Sequence, residues 1–160
     1  MAQSDSAEKG ADVRFPPPLV FLGGVILGLI IQYFVRAVTF PIAREARFAI
    51  SGVLFGLGIG LAVAARGLFK KTGQSVRPWE PTPELIFNGP YKFTRNPMYV
   101  GLTLLEIGVG LLLNNVWVSA FALLALATVH VIAVLPEERY LSTKFGDSYR
   151  NYRGRVRRYL

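Results

Sequence analysis

Four long apolar runs constrain the fold of this chain more than any other feature. They are Leu19–Val35, Phe48–Ala65, Met98–Leu113 and Val116–Leu135, each 16 to 20 residues long. A helix needs about 20 residues to cross about 30 Å of hydrocarbon. The runs lack the alternation of barrel strands, and helices buried in a soluble protein would leave little of this chain to cover them. The pattern therefore predicts an all-α integral membrane protein with four transmembrane helices.

Composition excludes several other classes of protein. The chain is 52% hydrophobic with a formal net charge of +8, and its charged fraction is 18%, below the quarter or so of a typical soluble domain. A disordered chain would be less hydrophobic, and a basic nucleic-acid-binding domain would lack the apolar excess, so no nucleic acid is expected as a partner. Because the chain has no cysteine and one histidine, neither a disulfide nor a Cys- or His-rich metal site is expected.

Lysine and arginine positions predict the orientation in the membrane. With four spans, the N-terminus, the loop after the second run and the C-terminus lie on one side, and they carry 2, 6 and 7 basic residues. The other side carries Arg36, Arg44 and Arg47. The positive-inside rule places both termini in the cytoplasm. We expect a multi-pass protein of the bacterial inner membrane.

The same features divide the chain into three predicted segments. Residues 1–15 are polar and form a flexible N-terminal segment. Residues 16–66 form a hairpin of two transmembrane helices. Residues 67–160 contain a loop, two further transmembrane helices and a helical tail, and every feature that suggests chemistry falls within them.

Glycines recur at helical spacing in the first two runs. Gly24 and Gly28 are four apart, and Gly52, Gly56 and Gly60 form two overlapping GxxxG units. Small residues at this spacing let helices approach closely. Packing within the chain is the favoured interpretation, and a homodimer through these glycine-rich spans is the alternative.

The loop before the third run ends in a sequence that predicts the start of a helix. Pro97 suits the first helical turn, where its missing N–H costs nothing, and Asn96 can cap that turn. The exposed N–H groups of a helix start can bind a carboxylate, although most Asn-Pro pairs only begin helices.

Two ionisable side chains lie inside the predicted spans. Glu106 lies in the third run and His130 late in the fourth. Polar residues at such depth are costly and usually face a cavity or a partner. Tyr99 lies seven residues before Glu106, and Glu137 seven after His130, so both pairs could line one polar pocket unless Pro136 breaks the helix. Hydrogen bonding between helices without chemistry is the alternative for both residues.

The tail after the fourth run has its own pattern. Glu137 and Glu138 open it, and aromatic and basic residues then alternate to Tyr159. Such a segment suits the headgroups of anionic membrane lipids. Two acids in a basic region indicate that some other group pairs with them.

Two separated motifs resemble a known family. One comprises Gly89-Pro90-Tyr91 and the segment from Arg95 to Gly101, and the other extends from Glu137-Glu138 to Tyr152. Together they resemble the isoprenylcysteine carboxyl methyltransferase family and its relatives, the phospholipid N-methyltransferases. The resemblance covers about half the chain, from Pro81 to Arg158.

The resemblance implies a multi-span helical enzyme that uses S-adenosylmethionine. It implies a cytoplasmic cofactor pocket formed by the last two spans, the preceding loop and the tail. The implied cofactor contacts are Glu84, Leu85, Ile86, Tyr91, Asn96, Pro97, Met98, Tyr99 and Glu137, with Arg95 and Glu138 bracing the pocket.

Two positions depart from the family pattern. The family often has histidine where this chain has Asn96, and asparagine cannot titrate. Members that act on prenylcysteine have an arginine where this chain has Ala133, so a prenylcysteine carboxylate would lose a counter-charge that His130 could only partly replace.

The expected function is methyl transfer to a lipophilic substrate that enters from the bilayer, as in the isoprenylcysteine carboxyl O-methyltransferases. A phospholipid-headgroup N-methyltransferase is one alternative, and a small non-catalytic membrane scaffold is another. A carboxylate acceptor needs no base, whereas an amine or hydroxyl acceptor does, and His130 and Glu106 are then the catalytic candidates.

Overall fold

The computed structural model describes residues 10–13 and 15–159, and this part of the chain is helical. It contains α1 (Pro17–Phe34), α2 (Arg44–Lys71), α3 (Pro97–Leu112), α4 (Val116–Val129), α5 (Leu135–Phe145) and α6 (Asp147–Arg155), with a 3-10 turn at Gly89–Lys92 and a π-helical segment at His130–Val134. Over these residues the one β interaction is an isolated bridge between Thr94 and Arg157. The all-α prediction is confirmed.

Within the described part of the chain, three helices are long and apolar enough to cross a membrane. They are α1, α2 and the continuous helix Val116–Phe145, which contains α4, the π-helical segment and α5. α3 is also apolar but has 16 residues. The chain is therefore a membrane protein by the length and composition of its helices. The fourth span and the cytoplasmic termini stay predictions.

Pro136 does not break the helix that contains it. A proline lacks the N–H that would bond to the residue four positions earlier, and its ring crowds that residue's carbonyl. Here the chain continues into α5 after a single π-helical segment, His130–Val134, whose wider turn relieves this crowding. The same turn changes the rotation between His130 and Glu137, and a pocket lined by both stays a prediction.

The chain forms two compact units. The span unit comprises Pro16–Ala62 and Met98–Val129, and the motif unit comprises the described parts of residues 1–15, 63–97 and 130–160. The motif unit contains both segments that carry the family resemblance, except for the start of α3.

Close packing of helices holds the span unit together. α1 lies against α4, and a Cβ atom added to Gly28 would be 2.7 Å from the backbone nitrogen of Val118. α2 lies against α3, where a Cβ on Gly58 would be 2.8 Å from the carbonyl oxygen of Gly101. The glycines therefore permit contacts between backbones that any side chain would prevent.

Two asparagines organise the turn between α3 and α4. The side chain of Asn115 accepts a hydrogen bond from the N–H of Val118 at 3.1 Å, which caps α4, and its amide donates to the carbonyl of Gly28 at 3.1 Å. Asn114 accepts from the N–H of Phe40 at 3.0 Å. This turn therefore binds the middle of α1 and the segment that follows α1, and it caps the start of α4.

The glycine spacings have different outcomes in the two helices. Gly24 and Gly28 pack within the chain, as favoured above. Gly52, Gly56 and Gly60 face open space, since a Cβ on any of them would meet nothing within 4 Å. Packing within the chain is thus wrong for these three, and the homodimer alternative stays a prediction.

We expect Gly28→Ala to destabilise the span unit. The added methyl group would force α1 and α4 apart at the backbone of Val118, and overpacking of this kind costs about 1–3 kcal/mol. Gly23→Ala is the matched control, because a Cβ there meets nothing within 4 Å. Thermal unfolding of the purified protein in detergent measures both variants, and equal midpoints would contradict the packing described here.

The predicted flexible segment, residues 1–15, lies largely outside the described residues. Within it, Ala11 and Val13 are buried, and the N–H of Ala11 donates to the carbonyl of Pro78 at 2.8 Å. This contact lies within the motif unit.

Candidate functional site

The last described residues form a strap across the loop that precedes α3. We call residues 156–159 the C-terminal strap. The N–H of Arg95 donates to the carbonyl of Arg157 at 3.0 Å, and the carbonyl of Arg158 accepts from the Thr94 hydroxyl at 3.1 Å and from the Asn96 amide at 3.0 Å. Three consecutive residues of the loop thus hold two residues of the strap.

Glu138 is the centre of a charged network beneath this strap. The guanidinium of Arg158 contacts it with two nitrogens, Nε to Oε1 at 2.8 Å and Nη2 to Oε2 at 2.9 Å. Nη1 of Arg95 lies 3.1 Å from the same Oε1, and the side chains of Arg95 and Glu138 are each 8% exposed. The hydrogen bond to Glu138 raises the pKa of Arg158. The network joins the loop, α5 and the strap.

Arg95 retains hydrogen-bonding capacity inside this network. Its side chain hydrogen-bonds Tyr149 and its Nη1 is held by the Glu138 carboxylate, but its buried Nε has no hydrogen-bond acceptor among the described residues. Buried donors in native proteins nearly always have an acceptor. The Nε–H of Arg95 is therefore suited to an anionic group of a ligand.

Tyr91 lies beside Glu137 in the same unit. Its segment begins with Gly89, whose φ of +57° suits glycine, and its carbonyl accepts a hydrogen bond from the Tyr152 hydroxyl at 2.7 Å. Burial, followed by the negative charge of Glu137, raises the pKa of Tyr91. Burial also raises the pKa of Tyr152 to about 12. Both phenols therefore keep their protons at neutral pH.

His130 contacts the end of the strap. Its Nδ1 lies 2.9 Å from the hydroxyl of Tyr159, and the two rings are tilted with centroids 6.0 Å apart. His130 is partly exposed, so a ligand can approach it.

The motif unit brings together most of the site residues predicted from the sequence. It contains Glu84, Leu85, Ile86, Tyr91, Arg95, Asn96, Pro97, His130, Glu137 and Glu138. Leu85 and Ile86 are half-buried, whereas Glu84 is exposed. Met98, Tyr99 and Glu106 belong to the span unit. The site roles of the residues in both units stay predictions.

Glu106 is buried within the span unit. It is 3% exposed, and neither carboxyl oxygen has a hydrogen-bond partner among the described residues. Its Oε1 lies directly against Gly24 of α1, where an added Cβ would collide with it. The interpretation of Glu106 as a hydrogen-bonding link between helices is not supported by these contacts.

Sequence reasoning did not identify Thr94, Arg158 or Tyr159 as site residues, and it identified Tyr152 only as the end of the second motif. The composition of the tail predicts a lipid-facing segment, whereas the side chain of Arg158 turns to Glu138. The available signal was the pair of acids in a basic region, which indicated that some group must pair with them.

Comparison with known proteins identifies the family of this chain. The sequence model of the family described as phospholipid methyltransferase matches residues 46–148, more than half of the chain. The chain therefore belongs to the phospholipid methyltransferase family, and the family resemblance found in the motifs is confirmed.

Two curated relatives match parts of the chain. A fission yeast (Schizosaccharomyces pombe) protein named protein-S-isoprenylcysteine O-methyltransferase is 36% identical over 72 residues, which are 45% of this chain and 30% of that protein. An uncharacterised protein of Haemophilus influenzae is 35% identical over 63 residues, which are 39% of this chain and all of that protein. The chain thus spans less than a third of the length of the yeast relative.

Proposed function

We propose that this protein is an S-adenosylmethionine-dependent methyltransferase that acts on a lipophilic substrate, similar to the isoprenylcysteine carboxyl O-methyltransferases. The network centred on Glu138 carries the proposal. It joins the two halves of the family motif, which are more than 40 residues apart, through Arg95 in the loop and Glu138 in α5. Such a buried ionic arrangement is costly to assemble, which favours a functional role over a purely structural one.

The chemistry of the motif unit fits the cofactor. The Nε–H of Arg95, which has no acceptor among the described residues, matches the cofactor's carboxylate, since guanidinium groups bind carboxylates strongly. Glu137 can accept from its amino group or ribose hydroxyls. Tyr91 can contact its adenine or its sulfonium, and a cation–π contact contributes about 0.5–2 kcal/mol. Asn96, Pro97, Met98, Tyr99, Leu85 and Ile86 are the further proposed contacts.

The acceptor decides which side chains the reaction requires. S-adenosylmethionine supplies an electrophilic methyl group. A lone pair of the acceptor forms the new bond to this methyl group. The bond from the methyl group to sulfur breaks at the same time, and its electron pair stays on sulfur. A carboxylate acceptor has no proton to lose, so the protein need only align it and exclude water. An amine acceptor must lose a proton, and His130 or Glu106 would then take it.

A lipophilic substrate suits the placement of this chemistry in a membrane protein. Substrates dissolved in the bilayer would enter from the membrane, with the motif unit at the cytoplasmic face and the arginines of α6 near anionic headgroups. This topology places both termini in the cytoplasm and uses α3 as the fourth span.

A phospholipid-headgroup N-methyltransferase is the second candidate. Ala133, fully buried, stands where prenylcysteine enzymes of the resembling family have arginine, so a carboxylate acceptor lacks that counter-charge. The description of the matching family also favours it. A scaffold without turnover is the third candidate.

Methyl transfer to defined acceptors separates these three candidates. Purified full-length protein in vesicles is incubated with methyl-labelled S-adenosylmethionine and either an S-prenylated N-acetylcysteine or phosphatidylethanolamine. We expect labelled methyl ester from the first acceptor and none from the second. Labelled phosphatidylethanolamine alone would favour the headgroup enzyme. A protein that labels neither these acceptors nor a total lipid extract would contradict an enzymatic function.

A further inference from the structure

The contact between His130 and Tyr159 joins a predicted catalytic side chain to the C-terminal strap. The distance from His130 Nδ1 to the Tyr159 hydroxyl is 2.9 Å, within the range of a good hydrogen bond. One nitrogen of the imidazole is therefore engaged by the protein, which leaves Nε2 as the nitrogen available to a ligand. Nothing in the family motifs includes Tyr159.

The position of Tyr159 is fixed by the residues that precede it. The carbonyl of Arg158 accepts hydrogen bonds from Thr94 and Asn96, and its guanidinium holds Glu138 with two hydrogen bonds. A phenol attached to so constrained a backbone is held in place with little further loss of entropy. The arrangement resembles the supporting groups that orient functional side chains in engineered and natural sites.

The chemistry of the two groups allows Tyr159 to be the donor in this hydrogen bond, whose direction depends on the tautomer of His130. Burial raises the pKa of Tyr159, with Arg158 opposing this shift and Glu138 and Glu137 adding to it. The phenol therefore keeps its proton at neutral pH and can donate it to an imidazole nitrogen. A nitrogen that accepts carries no proton, so in a neutral imidazole the other nitrogen carries it.

We propose that Tyr159 is a positioning residue that donates to Nδ1 of His130 and thereby presents the Nε2–H of His130 as a hydrogen-bond donor to the methyl acceptor. This inference rests on the proposed function and deepens it. A neutral imidazole with a proton on Nε2 cannot take a proton there, so His130 acts as a donor and not as the base predicted from the sequence.

A donor at this position suits an anionic oxygen acceptor. The Nε2–H would hold one oxygen of a carboxylate while the other oxygen attacks the methyl group. No proton moves in this step. His130 lies three residues before Ala133 in the π-helical segment, and it supplies a polar contact where the resembling prenylcysteine enzymes use arginine. The inference thus favours the carboxylate over the amine as acceptor.

The single histidine of the chain makes the hydrogen bond directly measurable. Nitrogen-15 labelling of histidine in the full-length protein gives one imidazole, whose nitrogen chemical shifts report which nitrogen carries the proton, without any substrate. We expect the wild type to have its proton on Nε2. Tyr159→Phe should lower the ratio of the Nε2-protonated to the Nδ1-protonated tautomer about fivefold or more, toward an even mixture. A change of this size corresponds to the loss of one hydrogen bond.

A kinetic measurement tests the role in the reaction. With an S-prenylated N-acetylcysteine as acceptor, Tyr159→Phe should lower kcat about tenfold, the scale of one hydrogen bond to a charged group, while the KM for S-adenosylmethionine stays within twofold. Tyr33→Phe is the matched control, because Tyr33 is 83% exposed, and it should change neither the spectrum nor kcat.

Each outcome has a distinct meaning. An imidazole spectrum unchanged by Tyr159→Phe, or a wild-type proton on Nδ1, would overturn the inference. A changed spectrum with unchanged kcat would overturn the role of Tyr159 in positioning the acceptor. An inactive wild type that shows the expected spectrum would contradict the proposed function, and with it the reaction role, while leaving the hydrogen bond itself established.

Discussion

Replacing Glu138 by alanine is expected to abolish binding of S-adenosylmethionine and to lower the free energy of unfolding by about 3–5 kcal/mol. The carboxylate lies between Arg95 and Arg158, and Arg95 is buried. Removing one partner of a buried ion pair leaves an uncompensated charge, which is the costly case. The strap would also lose its side-chain contact with α5, and Arg95 would no longer be held in place.

An exposed ion pair in the same unit is the control for this variant. Asp147 pairs with Arg150 at 2.6 Å, but their side chains are 87% and 63% exposed. Exposed pairs contribute about 0–1 kcal/mol, so Asp147→Ala should leave both stability and cofactor binding nearly unchanged. Denaturant unfolding in detergent, followed by circular dichroism, compares the two variants. Equal losses of unfolding free energy in the two variants would show that burial of Glu138 does not determine its contribution to stability.

Replacing the neighbouring Glu137 by alanine should separate cofactor binding from stability. Glu137 is half-buried in the first turn of α5, and its charge acts on Tyr91. A hydrogen bond to a charged group contributes about 1.5–3 kcal/mol, so we expect affinity for S-adenosylmethionine to fall about 10- to 100-fold. The unfolding free energy should change less than in Glu138→Ala, because neither Arg95 nor Arg158 loses its ionic partner.

Most of the helices could be predicted from the sequence, because a helix that crosses hydrocarbon requires a long run of apolar residues. The run Leu19–Val35 corresponds to α1, and Pro97 begins α3 as its fixed φ angle favours. α2 extends beyond its apolar run at both ends, since an apolar run marks only the residues suited to lipid. Charged residues such as Arg44 and Lys71 are good helix formers that continue the helix without adding to that run.

The π-helical segment could not be predicted, because its hydrogen-bonding pattern has no signature in residue type. Pro136 indicated a disturbance of the helix but not its outcome. A break, a kink and a wider turn all relieve the same crowding. The choice depends on packing around His130–Val134, where Ala133 and Val134 are fully buried.

The site was only partly predictable for a different reason. Motif residues such as Arg95 and Glu138 were identified through the resemblance, but the strap binds largely through backbone atoms, as in the hydrogen bond from Arg95 to the carbonyl of Arg157. Backbone groups are the same in every residue. Hydrogen bonds between backbone groups of residues some 60 positions apart therefore leave no recognisable pattern in the sequence. The different roles of Glu137 and Glu138 also depend on the helical rotation of about 100° between them.

Titration of S-adenosylmethionine into the purified full-length protein tests the central claim most directly. Calorimetry in detergent should show one saturable site in the wild type, weakened about 10- to 100-fold by Glu137→Ala and unchanged by Glu80→Ala, whose side chain pairs with Arg77 at the surface. A correctly folded wild type that binds no S-adenosylmethionine, or binds it equally well without the Glu137 carboxylate, would contradict the account.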